Sequence, residues 1–196
     1  MFTGIVQAMG EIVAIEDRDA GRRIRIRSDA LDDRAIGDSV AINGVCLTVV
    51  ERDGNVCDFD VHAETLTRSS LGGKEPGDRL NVEKPLRAGD DLGGHIVPGH
   101  VDEVGTVVSI VEEEGGRRLR VRVRPESTRY VVEKGSVTLD GVSLTVTDVN
   151  GGEFEVALIP HTLAVTTLGD AVVGRDLNVE VDVIAKYVER LTAHRR

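Results

Sequence analysis

The chain contains no tryptophan, and only three phenylalanines and two tyrosines among its 196 residues. That leaves no platform of exposed rings on which unpaired nucleobases could stack. A net charge of −10 likewise supplies no basic stripe to follow a phosphate backbone, so no nucleic-acid partner is expected. With two cysteines, Cys46 and Cys57, there is no disulfide framework, and two reduced thiols in a cytoplasm are the expectation. No stretch is apolar over the length of a membrane span, and Met1-Phe2-Thr3-Gly4 lacks the charged and apolar regions of a secretion signal. The expectation is a soluble cytoplasmic protein with no membrane partner.

What is present is a long internal repeat. Asn43-Gly44-Val45-Cys46-Leu47-Thr48-Val49 returns 97 residues later as Asp140-Gly141-Val142-Ser143-Leu144-Thr145-Val146. An Asn-Gly or Asp-Gly pair between alternating apolar and polar residues predicts a two-residue hairpin turn, because those residues tolerate φ > 0. In the strand that follows, Val45, Leu47 and Val49 share one face, with Cys46 and Thr48 on the other; Ser143 and Thr145 occupy the matching places. The echo is wider than this stretch. Gly4, Val6 and Gly10 recur as Gly99, Val101 and Gly105 at an offset of 95, and Leu80-Asn81-Val82-Glu83 recurs as Leu177-Asn178-Val179-Glu180 at 97. A duplication of one small domain accounts for the pattern.

Each half alternates in the manner of strands with one face in a core: Ile24 and Ile26 lie between Arg23, Arg25 and Arg27, and Leu119 and Val121 between Arg118, Arg120 and Arg122. The arginine faces are expected to be solvated. About six strands per half, punctuated by glycine turns, predict an all-β fold of two duplicated six-stranded antiparallel closed barrels, since closure removes exposed edges. Short helices are expected at Asp29–Arg34, Leu66–Leu71, Glu126–Val132 and Leu163–Leu168. The expected division is 1–94 for the first barrel with its connector (Leu86–Gly94), 95–183 for the second barrel, and 184–196 for a C-terminal α-helix. In that helix Val183, Ile184, Tyr187, Val188 and Leu191 recur at helical spacing, which predicts an apolar face used in assembly, with Arg190, His194, Arg195 and Arg196 suiting its C-terminal end.

The motifs, in order, resemble those of the riboflavin synthase family: Met1–Val6, Asn43–Val49, Gly93-Gly94-His95-Ile96-Val97-Pro98-Gly99-His100-Val101-Asp102, Lys134-Gly135-Ser136, Asp140–Val146, Leu158–Leu163 and Val181–Tyr187. The resemblance spans essentially the whole chain and implies the Greek-key, flavin-synthase-like form of the barrel. It implies a transferase of riboflavin biosynthesis that takes two molecules of 6,7-dimethyl-8-ribityllumazine to riboflavin and 5-amino-6-(ribitylamino)uracil, with no cofactor and no metal. It further implies a homotrimer whose working site joins the first barrel of one subunit to the second barrel of its neighbour, and it admits lumazine synthase as a further partner. Two related pockets suit a reaction of two identical substrates, and holding both rings together supplies the proximity.

Carried over by position, one substrate pocket or its junction takes Gly4, Ile5, Val6, Cys46, Leu47, Thr48, Asp60, Val61, His62, Ala63, Glu64, Thr65, Gly99, His100 and Val101. The other takes Lys134, Ser143, Leu144, Thr145, Leu158, Ile159, Pro160, His161, Thr162 and Leu163. The catalytic candidates that the resemblance implies are His100, Ser143, Thr145, Cys46 and Asp182. One lumazine must lose a proton from its 7-methyl group while the other accepts a nucleophile. His100 suits proton transfer near neutrality, and Ser143 and Thr145 suit hydrogen bonds to developing charge. Cys46 suits a nucleophile or polar contact, and Asp182 an orienting or charge-stabilising role.

Other readings stand beside these. Cys46 and Cys57 are each the size of a buried apolar residue, and Ser143 and Thr145 could fill a barrel interior. His95 and His100, five residues apart without a thiolate or carboxylate at ligand spacing, make no metal site. Pro98 stands where a small polar residue is commoner in the family, and it holds Val97 extended. The alternative function is a non-catalytic lumazine- or flavin-binding antenna protein of the same duplicated form, which needs one competent pocket; here both halves keep their polar residues.

Overall fold

The computed structural model describes residues 1–193; the expected cationic helix end at 194–196 lies outside the described residues. Twelve strands form two closed six-stranded barrels. The first contains β1 (Ala8–Arg18), β2 (Gly21–Arg27), β3 (Ser39–Ile42), β4 (Val45–Asp53), β5 (Val56–His62) and β6 (Arg79–Glu83), joined laterally in the order β1-β2-β5-β4-β3-β6. The second contains β7 (Glu103–Glu113), β8 (Gly116–Arg122), β9 (Ser136–Leu139), β10 (Val142–Asn150), β11 (Glu153–Leu158) and β12 (Asp176–Val181), with the same connectivity. All pairs are antiparallel, and β2–β5 and β8–β11 are among the pairings between strands not consecutive in the chain, as in a Greek key. Bulges bend the strands at matching places, between Ile12 and Ala14 and Val49 and Glu51 in one barrel, Val107 and Ser109 and Val146 and Asp148 in the other.

Alternation fills each barrel. Ile12, Ile24, Ile26, Val40, Leu47, Val49 and Phe59 are buried in the first, and Val107, Leu119, Val121, Val137, Leu144, Val146 and Val156 in the second. Cys57 is fully buried opposite Ile26, burial pushes its thiol pKa up, and Phe154 takes the matching place opposite Val121. It is a core residue.

The arginine faces differ from a merely solvated surface. Register sets Arg23 opposite Asp60 and Arg25 opposite Asp58, and each pair closes as a two-pronged ion pair at 2.7–2.9 Å. In the second barrel Arg120 reaches Asp148 and Glu155, both at 3.0 Å. The Arg23–Asp60 pair is exposed and adds little stability, whereas Asp58 is buried beneath Arg25; together the pairs complement the outer faces strand by strand.

Two of the four helices are shorter than expected and two begin three residues earlier. Asp29–Leu31 is a single 3-10 turn, and α2 (Pro125–Thr128) begins at its proline and ends early. The stretches expected at 66–71 and 163–168 are each divided. α1 (Ala63–Arg68) and α3 (Pro160–Val165) stop at Ser69 and Thr166, which are extended at φ −130° and −129°, and 3-10 turns follow at Ser70–Gly73 and Thr167–Asp170. The hydroxyls of Ser69 and Thr166 donate to the carbonyls four residues earlier, at 2.6 and 2.7 Å. The next N–H in each case goes to the other barrel: Ser70 N–H to Asn178 Oδ1 at 2.6 Å and Thr167 N–H to Asn81 Oδ1 at 2.8 Å. Tertiary hydrogen bonds thus end both helices.

The same two asparagines join the hairpin turns. Asn81 Nδ2 donates to Asp140 O and Asn178 Nδ2 to Asn43 O, both at 2.9 Å. At the turns Asn43 and Asp140 have φ of 46° and 45°, and Gly44 and Gly141 face each other so closely that a Cβ on Gly44 would lie 2.8 Å from Gly141 N. Phe2, Ala41 and Val97 make a small apolar cluster of their own beside this junction. α4 (Val183–Thr192) closes the described chain.

The junction is not symmetric. Asn43 Nδ2 has no partner among the described residues, while Asp140 Oδ2 meets Arg175 at 3.4 Å. Burial pushes the Asp140 carboxyl from 3.8 up to about 6, against the pull of Asn178 N–H and Arg175. The folded protein therefore keeps this proton over a range in which the unfolded chain has lost it. The contribution to stability is full below pH 3.8 and disappears as pH rises through about 6. Asp140→Asn is expected to make the pH dependence of unfolding shallower across that window. Denaturant unfolding at a series of pH values checks this, and an unaltered slope would place the titration elsewhere.

Candidate functional site

The lead-in to each barrel is exchanged. Gly4 accepts the N–H of Ser143, on β10 of the second barrel, at 2.8 Å; Gly99 accepts the N–H of Cys46, on β4 of the first, at 2.9 Å. Val6 accordingly packs on the second core and Val101 on the first. The two lead-ins touch each other through Phe2 and Val97, whose backbones exchange hydrogen bonds at 2.7 and 3.1 Å. The outward-facing strand of either barrel is therefore covered by a segment from the other half of the chain. Close approach demands glycine here: Gly4 and Gly99 have φ of 77° and 83°, and a Cβ on either would lie within 2.8 Å of Ser143 or Cys46.

The first cleft, about 290 Å³, is lined by Val45, Cys46, His62, Glu64, Thr65, Arg68, Ser69, Gly99, His100 and Val101. Cys46 and Thr48 face outward from the barrel, half-buried and exposed, so neither fills its interior; Leu47 does. Of the expected residues, Asp60 pairs with Arg23 on the outer wall, and Val61 points into the core. Ala63 opens α1 in an exposed position.

In the second half the corresponding places are held by Ser143, half-buried, and Thr145, exposed, while Leu144 and Leu158 belong to the core. Ile5 and Ile159 are exposed apolar residues, and Pro160, His161, Thr162 and Leu163 form the first turns of α3. Lys134 takes a left-handed turn at φ 64°, and its N–H donates to Val146 O at 2.9 Å, next to Thr145. The five catalytic candidates are thus divided: Cys46 and His100 with the first cleft, Ser143, Thr145 and Asp182 with the second half.

His95 is the residue that the sequence reading did not place in the site. Its Nδ1 lies 2.8 Å from Ser143 Oγ, and the ring is buried. With the proton on Nε2, Nδ1 accepts the serine hydroxyl and leaves the Oγ lone pairs free; with the proton on Nδ1 the polarity reverses. Burial holds the His95 pKa below 6.5, and the Asp182 carboxylate pulls the other way. Asp182 also caps α4, accepting the Ile184 N–H at 2.9 Å. Both lead-ins rest on buried glutamates, Glu83 and Glu180, visible in the sequence only as the ends of the two Leu-Asn-Val-Glu repeats. Among the described residues no group of three or more His, Cys, Asp or Glu gathers as metal ligands.

A family model described as a lumazine binding domain matches the chain twice, at residues 3–85 and 98–182. The chain is 50% identical to the riboflavin synthase of Mycobacterium tuberculosis over 97% of its own length and 98% of that protein. It is 44% identical to that of Photobacterium phosphoreum, over 97% and 88%, and 39% identical to that of Escherichia coli, over 100% and 95%. Among solved structures, LumP complexed with 6,7-dimethyl-8-(1'-D-ribityl) lumazine superposes with a TM-score of 0.84 at 27% identity, covering 93% of this chain and 99% of that one.

The buried imidazole has a direct test. Histidine titration by NMR is expected to show His95 with a midpoint below 6.5 and, in Asp182→Asn, lower still, because the opposing charge is gone. A midpoint that rises in the variant would refute the pairing of His95 with Asp182.

Proposed function

The chain belongs to the lumazine-binding-domain family, in its riboflavin synthase branch, and on that premise we infer how the outward surfaces of its two halves divide the work. It is an enzyme of riboflavin biosynthesis: one 6,7-dimethyl-8-ribityllumazine passes a four-carbon unit to a second, yielding riboflavin and 5-amino-6-(ribitylamino)uracil. The observation that carries the reading is the pair of outward-facing strands, Cys46–Thr48 and Ser143–Thr145, each roofed by the other half's glycine lead-in. Two like substrates are met by two like surfaces.

The surfaces differ where the chemistry of the two substrates differs. The first cleft presents the imidazoles of His62 and His100 and the Cys46 thiol. These groups suit proton removal and addition at one lumazine. The second half's surface presents hydroxyls, Ser143 and Thr145, with His95 behind Ser143, and Ile5 and Ile159 are exposed apolar residues. These suit a hydrogen-bonded polar edge against an apolar ring face. Asp182, whose charge reaches His95, orients this set. An antenna protein would need only one of the two polar sets.

The two clefts act together when they face each other across a subunit boundary, in a homotrimer. α4 supports this reading. Its inner side is fastened to the second barrel by Lys186–Asp102 at 2.5 Å and Arg129–Glu189 at 3.0 Å, while Ile184, Tyr187, Val188 and Leu191 are exposed. An apolar face of that size is better covered than wet. We place the protein in the cytoplasm, consistent with its two unpaired thiols, and family membership alone suggests lumazine synthase as a further partner.

Incubation with 6,7-dimethyl-8-ribityllumazine alone is expected to yield riboflavin and the pyrimidine in equal amounts; tight binding without turnover would instead identify a carrier. Ser143→Ala is expected to lower kcat about tenfold, the loss of one hydrogen bond worth ~1.4 kcal/mol in the transition state, without altering sedimentation. His100→Gln is expected to act in the same direction, and unchanged rates would remove either residue from the mechanism. Deletion of residues 185–196 is expected to shift the sedimenting species below the trimer; a truncated chain that still sediments as a trimer would assign assembly to the barrels.

A further inference from the structure

The two lead-ins are held by homologous glutamates, but not equally. Glu83 receives Thr3 N–H at 2.7 Å, the Thr3 hydroxyl at 2.8 Å and Gly4 N–H at 3.1 Å, so both carboxylate oxygens are met. Glu180, its counterpart 97 residues later, is 2% exposed. Its Oε1 accepts the His100 N–H at 3.0 Å, and the Gly99 N–H also stabilises the carboxylate. Its Oε2 has no partner among the described residues.

The repeat explains the difference. The residue equivalent to Thr3 is Pro98, which carries neither an N–H nor a hydroxyl. One residue removes two donors. A buried carboxylate with unmet lone pairs is costly, and a proton on the free oxygen relieves part of the cost. Two charged groups face it: Asp102, which opposes ionisation, and Lys186 of α4, which favours it and is itself bonded to Asp102. Its cross-strand neighbour on β9 is the uncharged Thr138. Burial prevails, and the Glu180 carboxyl is pushed up to about 7.

We propose that Glu180 is the positioning residue of the first cleft: as a carboxylate it grips the Gly99–His100 backbone, and because Pro98 leaves one oxygen free, proton uptake there loosens that grip. The path to the cleft is short. Gly99 O accepts the Cys46 N–H, and His100 lines the cleft beside Cys46. Proton uptake by Glu180 therefore repositions the His100 imidazole without Glu180 touching substrate. Burial raises the Glu83 carboxyl as well, but hydrogen bonds from Thr3 and Gly4 to both of its oxygens oppose the rise and make it the firmer support for the other lead-in. The proposal rests on reading the first cleft as a lumazine pocket.

Pro98→Thr restores the donor set found around Glu83, and Glu180→Gln removes the ionisation. The His100 amide resonance is expected to titrate near pH 7 in the native protein. Its midpoint should move about one unit or more to the acid side in Pro98→Thr, and the titration should vanish in Glu180→Gln. A carboxylic-acid infrared band present near neutrality and absent from Glu180→Gln should follow the same midpoints. The KM for lumazine is expected to rise severalfold as pH falls through that midpoint, with the rise displaced likewise in Pro98→Thr. An amide that does not titrate, or KM profiles of Pro98→Thr and the native protein that superimpose, would overturn the proposal. Failure of every form to make riboflavin would count against the enzymatic reading, while the amide and infrared titrations would still decide whether Glu180 holds His100 through its proton.

Discussion

Asn81 and Asn178 carry the relation between the two halves. Each sits within its barrel's last strand, accepts an N–H that terminates a helix in the other half, and donates to the carbonyl of the other half's hairpin turn. All four bonds are buried or partly buried, where an unmet amide would cost several times what a met one contributes. The arrangement is reciprocal, so neither asparagine can be satisfied unless both barrels dock in register. Gly44 and Gly141 permit it because no Cβ stands between the turns.

The covering of both outward-facing strands depends on that docking. Gly4 bonds to Ser143 and Gly99 to Cys46, so neither outward-facing strand has its roof until the other half is in place. A single barrel folded alone would lack the lead-in that the other half lays over its outward-facing strand. The duplication also allows the copies to diverge by single residues. Asn43 against Asp140, Cys46 against Ser143, and Thr3 against Pro98 each change the chemistry at one end while the backbone stays the same.

Much of the architecture was legible because it rests on local chemistry. The Asn-Gly and Asp-Gly turns require left-handed backbone, and the structure has it at Asn43 and Asp140. Alternation of Ile24 and Ile26 with arginines defined which face is buried, although it could not reveal that β2 pairs with β5 and sets Asp60 and Asp58 opposite those arginines. The helices expected at 66–71 and 163–168 lie three residues earlier because Ser69 and Thr166, tolerable within a helical pattern, are extended. Only the asparagines arriving from the other barrel make an extended conformation better there.

The site divides in the same way. Cys46, Thr48, Ser143 and Thr145 were recognisable from a two-residue period repeated in both halves, and that period by itself determined that they share a face. That the face is the outside of the barrel, that it is roofed by the other half, and that His95 stands 2.8 Å from Ser143 were decided by the tertiary structure. The physical reason is the range of the interactions. Turn geometry and strand alternation act over a few residues, and a sequence displays them directly. The hydrogen bonds that assemble the clefts join residues 48 to 139 positions apart, and the chain order does not indicate which of its many polar groups will meet.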